Sequence, residues 1–300
     1  MEQVTFIGFA SGWGAQVRET EKGPESLRAS NLLSSLSMRW AWKETLFPLK
    51  TSQEVELPPG LRTLPYIQDI CHRTALSVED VLKKDQFPVV IGGDHVSAVG
   101  TWTGVTHHFR TKEKFGLIWI DAHMDAHTME TTPSKAFHGM PLAALLGHGE
   151  SSLVNLLGKG PALSPEHVCL IGVRSYESGE AALLKRLGVR IYLIEEVEDR
   201  GFDVVFQEAL QHVKKETEGF GLSIDLDAFD PSEAPGVGTP EPQGLRSQDV
   251  LPSLFLVKKD PSFKALEIVE YNPDRDKDGK TLYLMRDLLL NLLPKNRELT

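Results

Sequence analysis

Acidic and imidazole side chains alternate with small or apolar ones in the stretch Asp121-Ala-His123-Met-Asp125. The apolar run Leu117–Ile120 comes directly before it and predicts a buried strand that ends at the first carboxylate. If the backbone stays extended beyond that point, every second side chain lies on one side, and the three would enter one volume. Grouped carboxylates repel one another unless a cation lies between them, which predicts a divalent metal ion. A set of solvated loop residues is the alternative for this stretch alone.

Two other stretches bring the same residue types to the end of an apolar run. Gly92-Gly93-Asp94-His95 follows one run, and Asp225-Leu-Asp227 closes another. The three stretches together offer two histidines and four carboxylates, which is the ligand set of a two-metal site. Mn²⁺ is favoured because carboxylates dominate and no thiolate takes part, with Zn²⁺, Co²⁺ and Fe²⁺ as alternatives. Two ions about 3.5–4 Å apart lower the pKa of a shared water, so the predicted reaction class is hydrolysis.

Length and composition narrow the class of protein. The 300 residues, 41% of them hydrophobic, contain no recognisable linker, and one domain over residues 1–300 is predicted. The net charge of −10 disfavours nucleic acid as a partner and attracts small cations. Cys71 and Cys169 are the only cysteines, which argues against a disulfide framework and favours a reducing, cytoplasmic location. The sequence shows no signal peptide and no membrane span, so no membrane partner is expected.

Apolar runs alternate with helical patterns along the chain, which predicts an α/β fold with a mostly parallel sheet covered on both faces. The predicted strands are Val4–Phe9, Phe87–Ile91, Leu117–Ile120, Val168–Val173, Ile191–Ile194, Phe220–Leu226 and Ala265–Val269. The predicted helices are Leu61–Lys84, Val96–Phe109, Met140–Leu146, Glu180–Leu187, Phe202–Thr217, Ser247–Val257 and Leu282–Leu293, after an amphipathic segment from Pro24 to Leu36. Sheets of this kind bind ligands beyond the carboxyl ends of their strands. That is where His95, Asp121, Asp225 and Glu270 are expected.

Five ordered motifs carry a resemblance to a known family. They are Gly-Gly-Asp94-His95, Asp121-Ala-His123-Met-Asp125, His138-Gly-Met-Pro141, Ser223-Ile-Asp225-Leu-Asp227-Ala-Phe-Asp230-Pro and Glu270-Tyr-Asn-Pro273. In this order they resemble the signatures of the ureohydrolase family, which includes arginases and agmatinases. The resemblance implies a three-layer α/β/α fold and a homo-oligomer, trimeric or hexameric. It also implies two Mn²⁺ per subunit and hydrolysis of a guanidinium group to urea and an amine.

The resemblance also implies roles for individual residues. One metal ion would be held by His95, Asp121, Asp125 and Asp225, and the other by Asp121, His123, Asp225 and Asp227. Asp125 would relay a proton to the departing amine, and Glu270 would pair with the guanidinium. His138 would shuttle protons.

The loops after the ligands indicate the substrate. Ser134 and Glu177 resemble residues with which arginases contact the two ends of the amino acid, whereas His127 stands where arginases commonly have Asn. The loop Gly236–Gly244, which contains the candidate substrate contact Thr239, is more similar to that of agmatinases. The prediction is hydrolysis of L-arginine to L-ornithine and urea. Agmatinase or another guanidino-acid or formiminoglutamate hydrolase is the alternative, and from another class a metal-binding regulatory protein without turnover.

Overall fold

Within residues 3–49, 59–109 and 114–293, which the computed structural model describes, eight strands form one parallel sheet. The strand order is β2-β1-β3-β8-β7-β4-β5-β6. The strands are β1 (Val4–Phe9), β2 (Trp40–Leu46), β3 (Phe87–Ile91), β4 (Phe115–Ile120), β5 (Val168–Val173), β6 (Arg190–Leu193), β7 (Gly219–Asp225) and β8 (Phe263–Val269). Every pairing of neighbours along this order is parallel.

Helices connect the strands and flank the sheet. In the described ranges they are α1 (Gly23–Ala29), α2 (Leu64–Lys83), α3 (Ser97–Phe109), α4 (Pro141–Leu145), α5 (Ser151–Val154), α6 (Ser178–Leu187), α7 (Ile194–Arg200), α8 (Phe202–Lys214), α9 (Ser247–Leu254) and α10 (Lys280–Leu292). None of the helices in these ranges combines the length and apolar character needed to cross a membrane.

Apolar side chains cover both faces of the sheet. Along β4, Ile118 and Ile120 belong to one buried cluster, which includes side chains of α8, α9 and α10. Leu117 and Trp119 belong to a second cluster, which includes side chains of α2, α3 and α4. Because successive side chains of a strand point to opposite faces, these clusters lie on either side of the sheet. The predicted three-layer α/β/α architecture is confirmed.

The strand order places the polar residues that were predicted at strand ends next to one another. β3, β8, β7 and β4 are consecutive neighbours at the centre of the sheet. His95 follows β3, Glu270 follows β8, Asp225 ends β7 and Asp121 follows β4. Since parallel strands end on the same side, these four residues lie along one rim.

Several local predictions are corrected by the structure. β2 was not expected, because it is an edge strand whose residues are mostly half-exposed and include Lys43 and Glu44, so no continuous apolar run marks it. The amphipathic segment predicted to reach Leu36 is a helix only as far as Ala29, since Ser30 turns extended and caps a following 3₁₀ turn. Helices α8 and α9 end three residues before their predicted ends. The sequence also predicts a polar, proline-containing connection around residues 50–60, of which residues 50–58 lie outside the described ranges.

Close packing of α8 on β4 depends on Gly116. A methyl group there would lie 2.2 Å from the carbonyl oxygen of Val213, a backbone atom of α8 that cannot rotate away. We expect Gly116→Ala to lower the free energy of unfolding by about 1–3 kcal/mol, measured by urea denaturation. Gly139→Ala is the control, because the nearest atom to a methyl group there is 3.8 Å away. Equal losses in the two variants would contradict this packing.

Candidate metal centre

Asp121 and Asp225 each stabilise a backbone turn that includes the second ligand of its motif. Asp121 Oδ1 accepts a hydrogen bond from the backbone N–H of His123 at 2.7 Å, and Asp225 Oδ1 accepts one from Asp227 at 2.8 Å. These are Asx turns, which bring a residue and its second neighbour together. The expected continuation of the strand is therefore wrong, since β4 ends at Ile120 and Asp125 has a left-handed backbone with φ of 49°. The side chains still converge, by turn geometry instead of strand alternation.

One group of side chains surrounds a nitrogen of His95. Nδ1 lies 3.1 Å from Asp121 Oδ2, 3.1 Å from Asp125 Oδ2 and 3.0 Å from Asp225 Oδ2. The imidazole is 1% exposed. It stacks on Trp119 with ring centroids 4.1 Å apart, and the Trp119 indole donates to Asp121 Oδ2 at 2.8 Å.

A second group shares Asp121 with the first. His123 Nδ1 lies 3.5 Å from Asp121 Oδ1 and 3.3 Å from Asp227 Oδ2. The Thr239 hydroxyl donates to Asp227 Oδ2 at 3.1 Å. Side-chain ligand atoms of His95, Asp121 and Asp225, and likewise those of Asp121, His123 and Asp227, lie within 4.8 Å of one another. All six predicted ligands are therefore brought to one place.

The donor set fits divalent cations. His95 Nδ1, Asp227 Oδ1 and Glu270 Oε2 are buried and have no hydrogen-bond partner among the described residues. Burial, together with the charges of Asp227 and Asp121, raises the pKa of Asp225 well above its ordinary value. Burial and the charge of Asp121 likewise raise the pKa of Asp125 to about 6. Buried acceptors that repel one another around a common point are the arrangement that a metal ion stabilises.

A cavity of about 260 Å³ opens onto both groups. All four predicted substrate contacts line it, together with several residues that sequence reasoning did not select. The lining comprises Gln16, His123, Asp125, His127, Pro133, Ser134, His138, Gly139, Ser175, Glu177, Glu180, Asp225, Asp227, Thr239 and Glu241. Glu270 is not part of this lining. Its Oε1 nevertheless lies 3.3 Å from Nδ1 of His138, and His138 does line the cavity. Burial opposes protonation of His138, but the bond with Glu270 outweighs it and raises the His138 pKa to about 9.

A third cluster of acidic and imidazole groups lies in the same cavity. His127 Nε2 is 2.8 Å from Glu177 Oε2 and 3.4 Å from Glu180 Oε1. The bond with His127 lowers the pKa of Glu177, whereas burial raises that of Glu180 to about 8. Glu180 was missed as a site residue, yet Glu177 and Glu180 form the capping box at the start of α6. The sequence signal that could have identified Glu180 is the capping-box pattern, in which an acid stands three residues after the helix cap.

Comparison with known proteins identifies relatives along nearly the whole chain. The sequence model of the arginase family matches residues 2–294. The arginase of Bacillus caldovelox is 37% identical over 285 residues, which cover 94% of each chain. The solved arginase of Bacillus subtilis matches 99% of this chain and 100% of its own, with 33% identity and a TM-score of 0.89. The arginase of Entamoeba histolytica, solved in complex with L-ornithine, is 27% identical with a TM-score of 0.86 and covers 97% of this chain and 98% of its own.

Replacing the aspartate common to both groups tests the metal centre. We expect the wild type to keep about two ions per chain after Mn²⁺ loading and desalting. Asp121→Asn should lose most of its metal under the same treatment, because both groups lose a negative ligand. Elemental analysis measures the metal content, and circular dichroism checks folding. Asp230→Asn is the matched control, since Asp230 bonds Ser232 and lies in neither group. A wild-type metal content in Asp121→Asn would refute the arrangement.

Proposed function

The chain belongs to the arginase family, and from this premise we propose that it hydrolyses L-arginine to L-ornithine and urea at a binuclear manganese centre. The observation that carries the proposal is one cavity lined both by four of the six proposed metal ligands and by the cluster of His127, Glu177 and Glu180. The metal-ligand residues would hold the ions that hydrolyse a guanidinium group. The cluster of His127, Glu177 and Glu180 would bind the α-ammonium end of an amino acid. The ornithine complex of the Entamoeba histolytica relative is consistent with this product.

We propose that the metal ligands are the six residues expected from the motifs. His95, Asp121, Asp125 and Asp225 would hold one ion, and Asp121, His123, Asp225 and Asp227 the other. The excess of carboxylates over imidazoles supports Mn²⁺. A pair of such ions would supply an activated water and neutralise charge that develops in the reaction.

The remaining polar groups would bind the substrate and move protons. Asp125 lines the cavity and would carry a proton to the departing amine. Glu270 Oε2, buried and unpartnered among the described residues, would accept a guanidinium N–H. His138, whose side chain is 20% exposed, would exchange protons with the solvent.

Charge in the third cluster favours arginine over agmatine, which has no α-ammonium and no carboxylate. Glu177 is negatively charged at neutral pH, since the ordinary pKa of a glutamate is already well below 7 and the bond with His127 lowers it further. It would bind the α-ammonium group, and the hydroxyls of Ser134 and Thr239 would be available to polar atoms of the substrate.

We propose further that the chain forms a trimer or hexamer and acts in the cytoplasm. The first proposal rests on the resemblance to the family and the second on the cysteine content. Sedimentation velocity would test the first. The net charge of −10 supports a cationic small molecule and argues against nucleic acid as partner.

A substrate panel tests the reaction. We expect the Mn²⁺-loaded protein to release urea from arginine much faster than from agmatine, other guanidino acids or formiminoglutamate, measured by a colorimetric urea assay with ammonia detection for the last. Asp125→Asn should lower kcat on arginine by at least about a hundredfold while the protein stays folded. Turnover of agmatine but not arginine would overturn the choice of substrate. A manganese-loaded protein inactive on every compound would indicate the regulatory alternative.

The ammonium contact has its own test. We expect Glu177→Gln to raise KM for arginine roughly tenfold to a hundredfold, because a hydrogen bond between charged groups is lost. KM for agmatine, which lacks the α-ammonium, should change far less. Glu177 also caps helix α6, and Gln is a weaker cap. Comparing the two substrates in one variant separates loss of the ammonium contact from this structural effect. Equal effects on both substrates would contradict it.

A further inference from the structure

A buried carboxylate outside the metal-ligand groups lies in strand β8. Glu267 has no exposed surface, and its oxygens accept hydrogen bonds from three hydroxyls: Ser97 at 2.9 Å, Thr101 at 2.6 Å and Ser223 at 2.8 Å. It neither lines the cavity nor belongs to a metal-ligand group. Burying a carboxylate costs several kcal/mol unless its oxygens are hydrogen-bonded, so its three donors explain how it is tolerated but not what it does.

One of those hydroxyls also contacts a proposed metal ligand. Ser223 Oγ lies 3.0 Å from Nε2 of His95. A hydroxyl has one proton, and an ionised carboxylate can only accept, so the Ser223 proton points to Glu267. Ser223 must then accept the hydrogen of His95 Nε2–H. A neutral imidazole carries one N–H, which leaves Nδ1 as a bare acceptor facing the three aspartates.

The carboxylates around Nδ1 favour the opposite arrangement. Asp121, Asp125 and Asp225 each place an oxygen 3.0–3.1 Å from that nitrogen, and their negative charges attract a proton to it. A proton on Nδ1 occupies the lone pair that a metal ion needs. Something on the far side of the ring must therefore hold the proton at Nε2.

We propose that Glu267, acting through Ser223, is a positioning residue that holds His95 in the tautomer whose Nδ1 can bind metal. The inference rests on the proposed function only in taking this rim to be a metal centre. Partners on the second nitrogen of metal-bound histidines commonly set both the tautomer and the affinity. Stacking on Trp119 fixes the plane of the ring, and the relay through Ser223 fixes its proton.

Two serines provide a matched test. Ser97 and Ser223 are both fully buried, and each donates one hydrogen bond to Glu267, but of the two only the Ser223 hydroxyl is hydrogen-bonded to the His95 ring. We expect Ser223→Ala to weaken Mn²⁺ binding roughly tenfold to a hundredfold and Ser97→Ala to change it less than about threefold. Competition with a metal-sensitive fluorescent chelator measures the dissociation constants without substrate. Saturating Mn²⁺ should restore most of the turnover of Ser223→Ala.

A second variant separates positioning from a purely structural role. Glu267→Leu keeps much of the volume and removes the acceptor, so the Ser223 hydroxyl becomes free to donate to Nε2. The variant should fold, judged by circular dichroism, and should weaken Mn²⁺ binding as Ser223→Ala does. Equal weakening by Ser97→Ala and Ser223→Ala, or wild-type affinity in either Ser223→Ala or Glu267→Leu, would overturn the proposal. Because affinity is measured without arginine, a wild type that binds Mn²⁺ but releases no urea would overturn the proposed function alone.

Discussion

Repulsion between buried carboxylates at the rim of the sheet is the constraint on which the rest of this structure depends. Three aspartate oxygens lie within 3.1 Å of the same imidazole nitrogen, and that nitrogen has no hydrogen-bond partner in the described part of the chain. Such a grouping destabilises a fold unless cations occupy it. The architecture can be understood as the framework that holds these groups together in spite of that repulsion.

The framework acts at two scales. The order of β3, β8, β7 and β4 brings their carboxyl ends side by side, and the clusters on both faces fix the strands that carry the ligands. Locally, the backbone departs from its preferred conformations. Asp125 and Glu270 have left-handed backbones, with φ of 49° and 67°, which cost of order 1–3 kcal/mol each. The backbone N–H of Glu270 donates to the carbonyl oxygen of Gly93, which stabilises this conformation. Gly93 itself has to be glycine, because a side chain there would collide with the carbonyl oxygen of Ser11. Two strained backbones thus lie where chemistry is proposed.

The sequence predicts the layers and the rim well because both follow from short-range patterns. Mostly apolar runs marked the central strands, and a carboxylate or histidine at or just after the end of each run marked the rim. The convergence of Asp121 and His123 was predicted for the wrong reason. A two-residue spacing fits strand alternation and an Asx turn equally well, and only the hydrogen bond from His123 N–H to Asp121 distinguishes the two. Glu267 was missed because its partners come from α3 and β7, far away in sequence, and an acid within an apolar strand does not identify them.

One arginine links the loop of a proposed metal ligand to a loop that lines the cavity. Arg174 follows β5, and its guanidinium donates to the carbonyl oxygens of Asp227 at 2.7 Å and Glu241 at 2.9 Å. It donates also to those of Ala228 at 3.1 Å and Pro242 at 2.9 Å. The loop that holds a proposed metal ligand is therefore tied to the loop that forms a wall of the cavity. Because a planar guanidinium makes these bonds in fixed directions, a shift of the wall would move Asp227 as well.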